Sequence, residues 1–372
     1  MKVLFDPAPP YLRCCVFRSG GPSMHLIKLQ ENWADTILRR LEPEAEVETA
    51  GYVLHNGGNQ VKDAVSLLSG QALQRLKRCV HLSPEYNSMT LTLAAYGMKH
   101  WPGARHLLLS DTAFFTRLSP VVRNYAIPYE LTSKGLGRYG AFGLCHAWIW
   151  KQTQAQTAGA AKKVISIFLG DHTTLAAIRN GIPTETTTGL TAVEGIMSSG
   201  GCGDIDPTII FLLKAAGLSY SAINRILCNE SGFAALAGRP CTLNDIVSGS
   251  SVPALAEAKR LLRYQIIKQI GAMLSQLGGV DAISLASEKP QDMMSLVLEI
   301  SSAFAFLGVR CRADAACGGF PQELSAAGSA VRIFSHQYDR WSVLKEAMES
   351  FEHSNQEQKT RLRKKHFSSM WA

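Results

Sequence analysis

At 372 residues the chain is long for one hydrophobic core, and two domains are expected. Its 46% hydrophobic and 18% charged residues are ordinary globular material, and no apolar run reaches the ~18 residues that cross a bilayer, which excludes a helical membrane-spanning class. The net charge is +8, and nine cysteines stand without Cys-x-x-Cys spacing or histidine partners, so buried thiols are expected and a metal centre is not.

The first ten residues, MKVLFDPAPP, lack the apolar core and small-residue cleavage site of a signal peptide, so a cytoplasmic protein is expected. Lys2–Asp6 reads as a strand, Pro7–Pro10 as a turn and Tyr11–Phe17 as a second strand. The pattern recurs in Val164–Gly170, the turn Asp171-His172-Thr173 and the return strand Thr174–Arg179. Two halves that open alike indicate two domains of one type. Apolar residues at three- and four-residue spacing predict helices over Asn32–Leu41, Val61–Val80, Asp206–Ala216 and Ser221–Leu227. A longer helix, Val252–Leu277, carries Leu255, Ala258, Leu262, Ile266, Ile270 and Met273 on one face and stops at Gly278-Gly279. Asp281–Ala286 reads as a strand, and a last helix runs from near Tyr338 to about residue 353. Gln152–Ala161 is the weakest candidate hinge. The basic run Lys359–Lys365 (KTRLRKK) has no nucleic-acid-binding motif beside it, so it reads as a solvated helix end.

Several short motifs stand in order: Ser110–Phe114 (SDTAF), Tyr125–Glu130 (YAIPYE), Arg138-Tyr139-Gly140, Leu169-Gly170, Val193-Glu194-Gly195 and Gly203–Pro207 (GDIDP). Leu277–Ala282 (LGGVDA) and Phe306–Val309 (FLGV) continue the series. In this order and spacing the chain resembles the acetate/propionate kinase family over nearly its whole length. The resemblance implies an α/β fold of two related domains of the sugar-kinase/Hsp70/actin type with a cleft between them. Residues 1–150, completed by a C-terminal helix at 338–372, would form the first domain and 151–337 the second. It also implies a homodimer, whose surface lies in the second domain, and transfer of the ATP γ-phosphoryl group to a short carboxylate.

Phosphoryl transfer needs donors that cradle phosphates, cations on the equatorial oxygens and a held metal ion. Measured against what the resemblance implies, this chain departs at most of those places. The first hairpin turn should be rich in Gly and Ser; here it is Pro7-Ala8-Pro9-Pro10, three residues of which have no N–H to offer a phosphate. The two active-site arginines match Val53 and Gly201, the transition-state histidine matches Phe142, and a histidine near the carboxylate site matches Tyr86. His146 matches a second, less central histidine, and Asn87 is retained. His55, Glu85, Ala141 and Ala192 stand where apolar pocket walls are expected, and Glu85 would repel a carboxylate.

Gly170, Asp171 and His172 match the nucleotide-binding turn, with a bulky and an acidic residue where phosphates approach. The Gly-rich adenosine loop falls on Ser287–Asp292, which has no glycine, and the metal-binding glutamate falls on Gln337. Asp204 and Asp206 could suggest metal ligation, but Asp206-Pro207 reads better as the cap of the helix that starts there. What remains is Asp111, the candidate catalytic acid, which in the absence of the matched arginines reads better as a capping or buried hydrogen-bonding group. The sequence therefore points to a kinase-family protein of impaired catalysis, with Mg-ATP as cofactor only if activity is retained. The alternative is an active carboxylate kinase with relocated residues or another acyl substrate. A second copy, a nucleotide or a small carboxylate are the expected partners.

Overall fold

The computed structural model describes residues 1–28, 46–249, 251–312, 314 and 318–369, with the backbone alone from 356 onward. The helix expected at Asn32–Leu41 lies outside the described residues. By contact the chain divides into two units, Met1–Ala113 with Arg340–Ala372, and Phe114–Asp339. Residues 114–150, including the helix Gly143–Gln156, thus group with the second unit, whereas the sequence reading counts them with the first. The expected hinge Gln152–Ala161 lies inside the second unit, at the end of that helix and the approach to the next strand.

The first unit is built on a six-stranded sheet. Its strands are β1 (Lys2–Ala8), β2 (Tyr11–Arg18), β3 (Gly21–Lys28), β4 (Thr49–Leu54), β5 (Val65–Leu67) and β6 (Arg105–Ser110), in the order β3-β2-β1-β4-β6-β5. β1, β2 and β3 form an antiparallel meander, β1, β4 and β6 run parallel, and β5 closes the edge antiparallel to β6. The second unit repeats the plan with β7 (Lys163–Phe168), β8 (Thr174–Arg179), β9 (Ile182–Thr186), β10 (Ala282–Ser287), β11 (Gln322–Glu323) and β12 (Arg332–Gln337). Its order, β11-β12-β10-β7-β8-β9, is the first sheet's order read from the other end, with the same parallel and antiparallel pairs. The duplication expected from the two strand-turn-strand openings therefore extends to whole sheets. Central strands such as β4 and β10 are buried along their full length, which is why they read as apolar runs rather than alternations.

The helix Pro253–Leu277 buries Leu255, Ala258, Leu262, Ile266, Ile270, Met273 and Leu277 in the second unit's core and ends at Gly278, whose left-handed φ of 62° suits glycine. Two expectations are corrected. Val61–Val80 is not one helix: Val65–Leu67 pairs with β6, Ser69 caps a helix at Gly70–Leu76, and a 3-10 helix follows over Lys77–Leu82. Apolar residues three or four apart do not separate a short strand plus helix from a longer helix, and pairing with β6 decides it. The last helix spans Arg340–Ser369 rather than ending near 353, because Gln356–Lys365 is almost entirely strong helix formers.

Candidate functional site

In the first unit β1 and β2 are joined by Pro9-Pro10, with Pro7 and Ala8 already in the strand ladder. Below this turn lies a buried charge cluster. Asp6, at 0% exposure, sits opposite Arg13 in the β1–β2 register and forms an ion pair with it. Arg340, in the first turn of the C-terminal helix, grips Asp6 with two hydrogen bonds: Nε to Oδ2 at 2.7 Å and Nη2 to Oδ1 at 3.0 Å. His55 Nε2 lies 3.4 Å from Asp6 Oδ1 and 3.1 Å from the Pro7 carbonyl. Burial alone would raise the Asp6 carboxyl, but the charges of Arg340 and Arg13 and hydrogen bonds from His55 and Arg340 outweigh it and hold it well below the carboxylate range.

Asp111 follows β6 directly and is 3% exposed. Its backbone N–H donates to the Leu54 carbonyl at 3.0 Å, and its Oδ2 accepts from the same Arg340 Nη2 at 3.2 Å. Its Oδ1 is buried without a hydrogen bond. One guanidinium thus bridges the retained acid and Asp6. Val53, the position matched to an arginine, is wholly buried in β4, where its carbonyl accepts from the Thr90 hydroxyl at 2.7 Å. Asn87 makes no turn. Its Nδ2 donates to the Asn56 and Cys79 carbonyls, both at 2.8 Å, and so ties two segments together. The Tyr86 ring packs on His55 at 4.5 Å, and Glu85 is exposed in the first turn of the helix Pro84–His100, where an acid complements the helix dipole.

In the second unit Gly170, Asp171 and His172 lie together in the β7–β8 turn. A Cβ at Gly170 would meet the Phe168 ring at 2.8 Å, so glycine is needed there for packing. Asp171 Oδ1 accepts from the Leu243 N–H at 2.8 Å, at the start of the helix Leu243–Ser248, and its carbonyl accepts from the Ser199 N–H at 2.8 Å. Beside His172 stands Phe142, a non-glycine residue with φ of 58°, whose ring stacks on Phe168 at 5.6 Å. His146 is fully buried between the Ser166 hydroxyl (2.7 Å) and the Thr174 hydroxyl (3.1 Å), and burial lowers it to about 3, so it is a neutral structural histidine.

Gly201, the other position matched to an arginine, closes a small loop. The Ser198 N–H donates to its carbonyl at 3.0 Å, and its own N–H donates to Ser198 Oγ at 2.8 Å. A Cβ there would fall 2.6 Å from that oxygen. Ser287 ends β10, and Pro290 opens the helix Pro290–Ser302 directly after it. Gln337 is exposed at the end of β12. Asp204 accepts from the Gly195 N–H and Asp206 from the Thr208 N–H, each at 2.8 Å.

Three residues of the motifs that carry the resemblance, Tyr125, Arg138 and Glu194, bond to one another. Arg138 Nη2 pairs with Glu194 Oε1 at 2.7 Å, the Tyr125 hydroxyl donates to Glu194, and the Leu190 N–H donates to Tyr125 at 2.8 Å. The sequence profile of the acetokinase family matches residues 28–336. The chain belongs to the acetokinase family. It is 29% identical to an acetate kinase from Protochlamydia amoebophila over 82% of this chain and 78% of that protein, and 30% identical to an acetate kinase from Gloeothece citriformis over 81% and 76%. The acetate kinase of Entamoeba histolytica has the same fold, with a TM-score of 0.84 at 22% identity over 94% of this chain and 98% of that one. A propionate kinase from Francisella tularensis gives 0.81 at 18% identity, over 93% and 98%. The two-domain α/β architecture is therefore that of the acetate and propionate kinases.

Against that family, the residues present do not fit Mg-ATP well. The β1–β2 turn offers prolines where N–H donors are needed, Asp171 adds a carboxylate at the second turn, and Gln337 is a neutral amide. Among the described residues no three His, Cys, Asp or Glu side chains are grouped to hold a metal ion. Sequence reasoning missed Asp6, Arg13 and Arg340. Two signals were present: a lone acid inside an apolar strand, and an arginine in the first turn of a helix, where the dipole disfavours a cation.

Proposed function

We propose that this acetokinase-family protein is catalytically impaired and acts by binding or scaffolding rather than by turning over acetate. The observation that carries this reading is the closed loop at Gly201, where even a Cβ would lie 2.6 Å from Ser198 Oγ. The other arginine position, Val53, is a core residue. Asp111 then serves as a structural acceptor for Arg340, and Gly170, Asp171 and His172 form a nucleotide turn of low affinity, with Mg-ATP binding in the millimolar range or weaker. A coupled assay with Mg-ATP and acetate or propionate is expected to show no acyl phosphate above background. Turnover near the ~1–100 s⁻¹ usual for kinases would overturn the reading.

A second reading, an active carboxylate kinase with relocated cations, draws support from Arg340 and Arg13, which stand on Asp6 and Asp111 although Val53 carries no charge. The same assay with longer or branched acyl substrates tests it. We also propose a cytoplasmic homodimer. In the second unit the helix Thr208–Ala215 (TIIFLLKA) has no buried residue, and Phe211, Leu212 and the nearby Tyr220 are 71%, 64% and 71% exposed. Light scattering at micromolar concentration is expected to give twice the 40.5 kDa chain mass.

A further inference from the structure

Residues 198–203 form a loop laced to the segment 227–234. The N–H groups of Cys202, Ser231, Phe233 and Ala234 donate across to the carbonyls of Leu227, Gly200, Ser198 and Ser199, at 2.9, 2.8, 2.9 and 2.9 Å. The approach is close enough that a Cβ at Gly200 would strike the Asn229 carbonyl at 2.6 Å. Leu227 directly precedes Cys228, so the bond from the Cys202 N–H draws the two cysteine backbones together. Standard backbone dimensions then keep their Cα atoms within about 7 Å, close to the roughly 4.4–6.8 Å that disulfides span. Both side chains are partly exposed, whereas Cys14, Cys15, Cys79, Cys145 and Cys241 are buried. Burial, and after it the neighbouring Cys228 and Asp204, raise the Cys202 thiol above its ordinary value.

We propose that Cys202 and Cys228 are an oxidation site, closing to an intramolecular disulfide when the protein meets a peroxide. One of the two sulfurs, as its thiolate, attacks the O–O bond and becomes a sulfenic acid as one water leaves. The other sulfur then displaces the sulfenic oxygen as a second water and forms the S–S bond. Two thiols give up two electrons and two protons, and hydrogen peroxide is reduced to two waters. The bond joins segments already held by backbone hydrogen bonds, and its closure replaces the contacts of Cys202 Sγ with the Gly203 carbonyl and of Cys228 Sγ with Asn224 Oδ1.

The test treats the full chain with excess hydrogen peroxide, alkylates the remaining thiols and maps peptides without reductant. A cross-linked peptide joining Cys202 to Cys228 is expected, lighter by two hydrogens, reversed by dithiothreitol and absent in Cys202→Ser and Cys228→Ser. Oxidation is expected to raise the melting temperature of the parent by several degrees and to leave both variants unchanged. Alanine versions of both variants provide a second pair if serine proves disruptive. Alkylation of both thiols after treatment, over-oxidation without a cross-link, a bond from either cysteine to Cys311, or a bond only between chains would each overturn the proposal.

Discussion

The hairpins β1–β2 and β7–β8 occupy equivalent places in two sheets of identical plan, yet their buried polar residues follow opposite strategies. Beneath the first, Asp6 remains ionised, compensated by Arg340 and Arg13, and Asp111 accepts from the same Arg340. Beside the second, His146 stays neutral between two hydroxyls, and His336 in β12 stays neutral against the Ser284 hydroxyl at 2.9 Å. A repeated fold thus fixes strand order without fixing how charge is handled inside it. Charge pairing makes a unit sensitive to the loss of one partner, and neutrality makes it sensitive to the uptake of a proton.

Acid separates the two strategies most widely. Burial lowers His146 to about 3 and His336 to about 4, from 6.5. Below pH 6.5 the unfolded chain takes up protons that these folded histidines refuse, so stability falls as pH drops towards 4. At roughly 1.4 kcal/mol per pH unit for each group, the second unit should lose about 5 kcal/mol between pH 6.5 and 4.5. Asp6 has the same sense in a lower window: its contribution is intact above the ordinary carboxylate value and is lost only below it, so between pH 6.5 and 4.5 the first unit changes less. There the buried His106, also lowered by burial, adds a dependence of the same sign as the other histidines. Hydrogen exchange resolved by segment should show β7, β10 and β12 opening before β1, β4 and β6 on acidification. His146→Gln should flatten the pH slope. Simultaneous opening of the two sheets would break the contrast.

Arg340→Ala attacks the other side of the comparison. It leaves Asp6 and Asp111 buried with less compensation and is expected to cost about 3–5 kcal/mol, read as a fall of roughly 10 °C in the melt. A fall of under two degrees would mean that the cluster is hydrated rather than buried. Asp111→Ala removes the outer contact only, because Arg340 keeps both bonds to Asp6, and should cost about 1–3 kcal/mol with no change in any phosphotransfer. Loss of a measurable activity with an unchanged melt would place Asp111 in the catalytic machinery. The smallest effect is expected at Gly201→Ala, about 1 kcal/mol from crowding Ser198 Oγ, and it should shrink in the Ser198→Gly background. An equal penalty in both backgrounds would mean that the loop is not closed as described.

How much of this was legible depends on the kind of contact. The duplicated hairpins, the face of Pro253–Leu277 and its glycine stop follow local periodicity and capping, and the structure keeps them within a residue or two. Capping by Asp206 was equally local. Val65–Leu67 was not legible, because a three-residue strand exists only through β6. Asp171 could be placed in a turn, but its role in holding the start of a helix at Leu243 depends on a contact 72 residues away. Nor does any pattern join Asp6 to Arg340, which are 334 residues apart. A sequence reading can find an acid without its partner, as with Asp111: the matched positions Val53 and Gly201 carry no charge, and the guanidinium it meets belongs to Arg340 in the last helix.

That separation has a consequence for synthesis. Asp6 leaves the ribosome 334 residues before its main counter-charge. At about 5–20 residues per second the delay is on the order of half a minute. The continuous segment Phe114–Asp339 is complete before Arg340 exists. The nascent chain should therefore assemble its second sheet first, with β1 holding an acid that has yet to meet its arginine. Chaperone dependence should weigh on β1 and its neighbours until Arg340 has been made.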